Sequence, residues 1–401
     1  MTLPVAWPWA VSVRGLVMTI TDVVFVAAAL AWVRAVANGS AALRWSPFYV
    51  PLGLYVATML LSIPGSVEPM RSGLKLGAEI YLLGLAVLTV NLATSAPLVR
   101  LAMKAWLLGA LATVVAGLLG VALFYGGLRA PAVNPFLSGF GSLPPGNYPR
   151  IVALFTNANA LCTFLVISVV FVWTMRALGR LAVREAVVLT GALVLTAFFT
   201  LSAGLGGLLL SAGLWGYARS RHERPPARAR LLLAGGIVGA ALFVVATLVS
   251  PVARDARGGL PFEVRPPSRV LAWQSAWQRT WERPLLGRGV GTDAAAVRNR
   301  NAAGLEEVVE DAHNTWLNIS AQQGIPGALA FAAVMWVLLR GAGPLAATPA
   351  SPASVTLRTG LVIAVIGGFL YQTLSGSFED VRHMWVLFGL LAAVKEPLAE
   401  A

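Results

Sequence analysis

Long apolar runs recur along the whole chain, separated by short polar stretches, and this repetition limits the fold more than any other feature. Inside hydrocarbon every backbone N–H and C=O must be bonded within the protein, so an apolar segment of about 17–25 residues crosses as a helix. Eleven such runs stand at roughly 16–33, 47–64, 76–93, 106–126, 151–173, 184–200, 203–218, 231–250, 322–340, 359–376 and 383–395. Met1 to Val13, with Trp7, Pro8 and Trp9, supplies either a short twelfth span or an interfacial segment. No cleaved signal peptide is expected, because the first run lacks a basic n-region and a small-residue cleavage site. Only 12% of the 401 residues are charged, against about 25% in soluble domains. The fold class expected is an all-α polytopic membrane protein of about twelve transmembrane helices. The single cysteine, Cys162, falls inside a run, which excludes a disulfide framework and a cysteine metal site.

The formal charge of +13 raises the question of nucleic acid. The basic residues flank apolar runs and form no soluble domain, so membrane lipids and an anionic substrate are the expected partners, and nucleic acid is not. Short loops rich in arginine stay cytoplasmic. Arg176, Arg180 and Arg184 mark one such loop, and Arg219, Arg221, Arg224, Arg228 and Arg230 mark the strongest. The two runs between them form a hairpin turning near Ser202 on the far side. The run at 231–250 then leads outward, which puts 251 to about 315, and Gly127 to Arg150, outside the cytoplasm. Eleven spans place the N-terminus outside and twelve place it inside; twelve is the arrangement favoured. The chain divides into N-terminal membrane helices (1–250), a partly helical outer loop (251–315) and C-terminal membrane helices (316–401).

That outer segment carries nine arginines and no lysine between Pro251 and Asn301, and it ends on His313. Arginine holds its charge at any working pH and offers a rigid fork of donors to phosphate or carboxylate. Ser268 follows Pro266 and Pro267 as a candidate N-cap. After it, Arg269, Trp273, Trp277 and Trp281 recur every four residues along one helix face, either a membrane-surface stripe or an ordinary packing seam. Of the other histidines, His222 sits in the cytoplasmic arginine loop as a surface residue, and His383 opens the last run as interfacial packing. Asp311 is a candidate cap placing His313 in the first turn of the next helix. There the helix dipole favours a neutral imidazole, while Glu306, Glu307, Glu310 and Asp311 pull the other way. This acidic cluster reads as a solvated face, no Asp-x-Asp occurs, and no metal is expected. Asp22 and Glu79 are isolated carboxylates inside runs.

Three motifs together resemble the O-antigen ligase and polymerase family. Asp311-Ala-His313-Asn314 leads, ten residues after the histidine, to Gly324 and then Gly327. Upstream, Arg269 and Trp273, then Pro284-Leu-Leu-Gly287-Arg288-Gly289-Val-Gly291, are similar to the segment preceding that histidine. Arg150, Phe155, Asn157 and Asn159 resemble the family's arginine, phenylalanine and paired-asparagine pattern. Two positions depart from it. Ser202-Ala203 stands where a serine–arginine pair is common, and the fourth residue after Arg269 is Trp273 rather than leucine. The choice of diphosphate-binding arginine therefore stays open among Arg265, Arg269 and Arg288, beside Arg150.

The resemblance implies a GT-C-like glycosyltransferase of the bacterial inner membrane with a periplasmic site. It would move a glycan from undecaprenyl diphosphate to a hydroxyl of lipid A-core, without cofactor or metal. A base for the hydroxyl (His313) and cations for the departing diphosphate are what that chemistry needs. Asn157, Asn159, Asn314 and Asp311 would support them; buried amides otherwise hydrogen-bond between helices. The one substantial outer loop and the modest length favour the ligase over the polymerase and over protein-glycosylating relatives. A transporter of lipid-linked glycans would instead place charge or broken helices at the midplane.

Overall fold

Runs of Leu, Ala and Val satisfy their backbone hydrogen bonds locally as helix, and the described residues are mostly helical. The computed structural model describes residues 11–13, 16–18, 20–130, 133–138, 149–155, 157–220, 227–249, 268–300, 306–340, 351–374, 376–377 and 381–394. A hairpin of β1 (Val11–Val13) and β2 (Leu16–Met18) comes first. It is followed by α1 (Ile20–Ala37), α2 (Tyr49–Ser62), α3 (Pro69–Leu92) and α4 (Ala96–Tyr125). A short ladder, β3 (Leu137–Ser138) with β4 (Arg150–Ile151), precedes α5 (Ala158–Ala177). Next come α6 (Val183–Phe198), α7 (Leu205–Arg219) and α8 (Ala227–Val249). The polar segment contributes α9 (Ser268–Glu282) and a hairpin of β5 (Val297–Arg300) with β6 (Glu306–Val309). Then α10 (Thr315–Leu339) and α11 (Pro352–Ala364) follow. A π-helical stretch, Val365–Leu370, continues α11, and α12 (Arg382–Ala393) is last.

Each of the eleven apolar runs overlaps one helix, and α9 lies between runs. Among the described residues five helical stretches are long and apolar enough to cross a membrane: α3, α4, α5, α10, and α11 carried on to Leu374. Val11–Val13 is strand, so the suggested N-terminal span does not run through it; residues 1–10 lie outside the described residues. The fifth run also needs correction. Residues 150–151 pair with 137–138, and Asn157 caps a helix that starts at Ala158, so the helix begins there and not at Ile151.

Packing is densest around α5, where 83% of the apolar window is buried. Phe164 and Phe171 are sealed against Trp106 of α4, whose indole donates to Ser168 (3.0 Å). Close approaches are made by small residues, as in membrane helix packing generally. A Cβ on Gly207 would lie 2.2 Å from the carbonyl oxygen of Gly367, and Gly213 packs backbone to backbone against Gly236. His383 is 2% exposed, in a cage of Trp106, Phe155 and Phe164 rings, so it is a core residue and not an interfacial one.

Neither Asp22 nor Glu79 is isolated. Arg382 of α12 grips Asp22 of α1 through Nε (2.9 Å) and Nη2 (3.1 Å), and the Tyr81 hydroxyl of α3 donates to the same carboxylate (2.5 Å). Lys75 Nζ lies 3.0 Å from Glu79 one turn along α3. Buried charge is retained when paired in this way.

Contacts also set which helix ends share a level. Antiparallel α2 and α10 meet through Thr58 and Gln323 (3.2 Å) and through the Tyr55 and Phe331 rings (5.3 Å). The end of α2 is bonded to the loop after α9 by Ser62 Oγ, which accepts from Val290 N (3.1 Å). The ends of α2, α4 and α6 and the starts of α3, α5, α7 and α10 thus gather at one end of the bundle, with α9. At the other end, the Arg44 backbone donates to Asn91 near the end of α3 (2.8 Å).

Candidate functional site

At the α9 end, the chain enters α10 through a turn that any non-glycine residue resists. His313 has φ +49°, a left-handed conformation that costs roughly 1–3 kcal/mol outside glycine. It is held there by Asp311, whose Oδ1 accepts from His313 N (2.6 Å), Asn318 Nδ2 (3.0 Å) and Ser377 Oγ (2.5 Å). Hydrogen bonds to a charged group contribute about 1.5–3 kcal/mol each, so this network offsets the strain. Asn318 Oδ1 completes it by accepting from Ala312 N (3.0 Å).

The expected cap changes as a result. Asn314, not Asp311, caps α10, accepting from Trp316 N (3.0 Å) and Leu317 N (3.2 Å), so His313 precedes the helix. Its ring is half-buried and, among the described residues, makes no side-chain hydrogen bond or ion pair. Two side chains of the acidic cluster are described, and each has its own partners. Asp311 is turned to its three donors, Glu310 faces Arg71 (3.9 Å), and the side chains of Glu306 and Glu307 lie outside what is described.

The glycines of the upstream motif are steric necessities. The loop after α9 crosses α10 where Gly324 (φ +75°) breaks the helix, and Ile325 N donates there to Pro284 O (2.7 Å). A Cβ on Gly287 (φ +66°) would fall 2.3 Å from the backbone carbon of Gln322. Arg288 N and Gly289 N donate to Ala321 O (3.0 Å) and Gln322 O (2.9 Å), and Gln322 returns bonds to Gly291 N (3.0 Å) and Thr292 O (2.9 Å). The loop that carries Arg288 is therefore stitched to the helix that His313 introduces.

Around this seam lie more cations than the motifs indicate. Arg71 of α3 reaches Asp293 (2.8 Å), Arg279 donates to the Asp293 carbonyl, and Arg283 donates to Gly65 O (2.5 Å). Arg288 Nη1 approaches Glu282 (3.3 Å), while its buried Nε has no partner among the described residues. Burial, and then the neighbouring Arg288, push the Arg279 guanidinium below its ordinary value against Asp293 and Glu282. Arg269 is half-buried in the first turn of α9. Arg265 and His222 lie outside the described residues.

The tryptophan stripe divides. Trp273 packs with Leu317 against the alanines 276, 294, 312 and 321 between α9 and α10, whereas Trp277 and Trp281 are each 56% exposed. A spacing of four drifts about 40° per step around a 3.6-residue helix, so the later indoles turn outward.

Arg150 belongs to a second turn at the same end. Its Nε donates to Thr200 O (3.0 Å) and its Nη2 to Asn159 Oδ1 (3.3 Å). Asn157 caps α5 by accepting from Asn159 N (2.7 Å), so both asparagines lie at the helix start. The segment after the π-helical stretch joins the two turns. Gln372 packs on Gly204, next to the Arg150 turn, while Thr373, Gly376 and Ser377 bond to Trp316, Thr315 and Asn318 beside His313. Arg71 and Ser377 were not singled out by the sequence, and Arg279 and Arg283 were counted only among the nine arginines of the outer segment. The position of Arg71 after a short α2–α3 loop is the only local signal, and nothing marks Ser377.

The family model described as O-antigen ligase matches residues 186–332, from α6 through the break in α10. The matched stretch contains α9, the glycine loop and His313, and it leaves out the Arg150 turn. No curated protein matches the chain. The histidine turn, the broken helix and the loop that crosses it all fall within the matched residues, and over this segment the chain is similar to the O-antigen ligase family.

Proposed function

We propose that the protein is an O-antigen ligase of the bacterial inner membrane with its site on the periplasmic side. His313 takes the proton from a hydroxyl of lipid A-core, and that oxygen attacks the anomeric carbon of a glycan carried on undecaprenyl diphosphate. The glycosyl bond to phosphate breaks with inversion, and undecaprenyl diphosphate leaves. Arg150, Arg265, Arg269 and Arg288 hold the diphosphate and neutralise the charge that develops on it, the role a metal plays in other transferases. Asp311 and Asn314 fix the base, and Asn157 and Asn159 fix Arg150. About twelve spans in a GT-C-like arrangement carry the site.

One observation supports this reading above the others. A half-buried imidazole without a side-chain partner among the described residues sits on a strained, strongly braced turn at the arginine-rich end of the bundle. Strain braced in this way is characteristic of residues held for chemistry. The test is transfer by the purified full-length protein in excess chelator, with wild type against His313→Ala. Wild type is expected to keep its rate, and the variant to lose about a hundred- to ten-thousandfold while folding normally. A variant within a few-fold of wild type removes the base assignment, and loss of wild-type activity on chelation that magnesium restores removes metal independence. In cells, lipid-linked polymer accumulating with no glycan on core identifies a ligase, whereas a single-repeat band identifies a polymerase.

A further inference from the structure

A cavity of about 250 Å³ opens at the end of the bundle away from His313, lined by Trp173, Arg176 and Ala177 of α5 and by Trp215 and Arg219 of α7. The two helices run the same way from the site end, and each places a tryptophan about one turn before an arginine in its last turn. Residues three or four apart share a helix face, so each helix offers the same pair to the same space. The indole rings stand 6.2 Å apart at 41°. Both guanidiniums are exposed, and among the described residues neither has a hydrogen-bond or ion-pair partner. The ends of the helices contribute only about half a negative charge each, so two full positive charges leave the cavity attractive to an anion.

We propose that this cavity binds the phosphate group of an anionic glycerophospholipid, with the arginine forks on the phosphate oxygens and the two indoles at the glycerol and upper acyl chain. The charge and geometry call for a phosphate oxyanion. The indoles favour the lipid as its source, because tryptophan settles at headgroup depth beside acyl chains. The site lies at the far end from the transfer site and does not depend on the reaction assigned above.

The experiment measures retention of phosphatidylglycerol and of phosphatidylcholine by the purified full chain in mixed micelles. Wild type is expected to prefer phosphatidylglycerol, and Arg176→Gln with Arg219→Gln to lower its retention about tenfold. Arg180→Gln with Arg184→Gln removes the same charge outside the cavity and is expected to change retention less than about twofold. If the glutamine pair does not fold, Arg176→Lys with Arg219→Lys keeps the charge without the fork and is expected to lose about threefold or more. Unchanged retention in the cavity variants overturns the proposal, as does an equal loss in the Arg180 and Arg184 pair. Displacement of the lipid by millimolar inorganic phosphate would assign the cavity to a free anion and overturn the lipid as its source.

Discussion

A single backbone angle organises the chemistry at residue scale. His313 occupies left-handed space because Asp311, Asn318 and Ser377 converge on the turn, and Ser377 comes from a distant part of the chain. Ser377→Ala removes one donor to the carboxylate, a bond worth about 1.5–3 kcal/mol when buried and less at this half-buried position. It is expected to lower kcat several-fold with little change in donor KM, and Ser377→Thr to restore it, as measured in the purified transfer assay. A loss of expression instead, with kcat intact, would make Ser377 a purely structural residue. The histidine was legible from its neighbours in sequence, since a lone imidazole before an apolar run is conspicuous. Its brace was not, because the partners of Asp311 are set by where the chain returns after α11, which no local pattern encodes.

At the scale of elements, the spacing from His313 to Gly324 acquires a physical meaning. It is the length of helix between the turn and the break where the Pro284 loop passes, so the histidine and Arg288 are locked in register through α10. That spacing could be recognised in the sequence without its reason, which lies in a loop crossing another helix. The tryptophan stripe shows the opposite case, a repeat of four read as one face that packing divides between Trp273 and the exposed Trp277 and Trp281. Small residues set the helix contacts elsewhere. Gly207→Ala forces a Cβ to within 2.2 Å of the Gly367 carbonyl and is expected to cost about 1–3 kcal/mol, read as a lower Tm in detergent. Gly191→Ala on α6, with nothing within 4 Å of the added atom, is expected to leave Tm unchanged or raise it slightly.

For the whole molecule, the helical runs are legible because hydrocarbon leaves a backbone few alternatives, whereas the ladder at Arg150 and Ile151 depends on a partner strand at 137–138 that no local pattern marks. The gathering of helix ends places the Arg176 and Arg219 loops at one end and the histidine turn at the other. Short arginine loops stay in the cytoplasm, so a reporter fused at Gly304 is expected to score as periplasmic and one at Arg224 as cytoplasmic. A cytoplasmic signal at Gly304 would put the histidine on the wrong side for a periplasmic acceptor.

The burial of α5 also has a consequence in time. This helix leaves the ribosome well before α11 and α12, yet Gly360 and Gly368 of the α11 stretch press on its Thr174 and Ile167, and His383 of α12 on its Phe164. Only the early helices are then available to cover it, and the faces that meet α11 and α12 wait for the late arrivals. Biogenesis therefore ends at the centre: a chain cut after Leu339 keeps the matched family segment and the histidine, but it leaves α5 half clad and the histidine turn without Ser377.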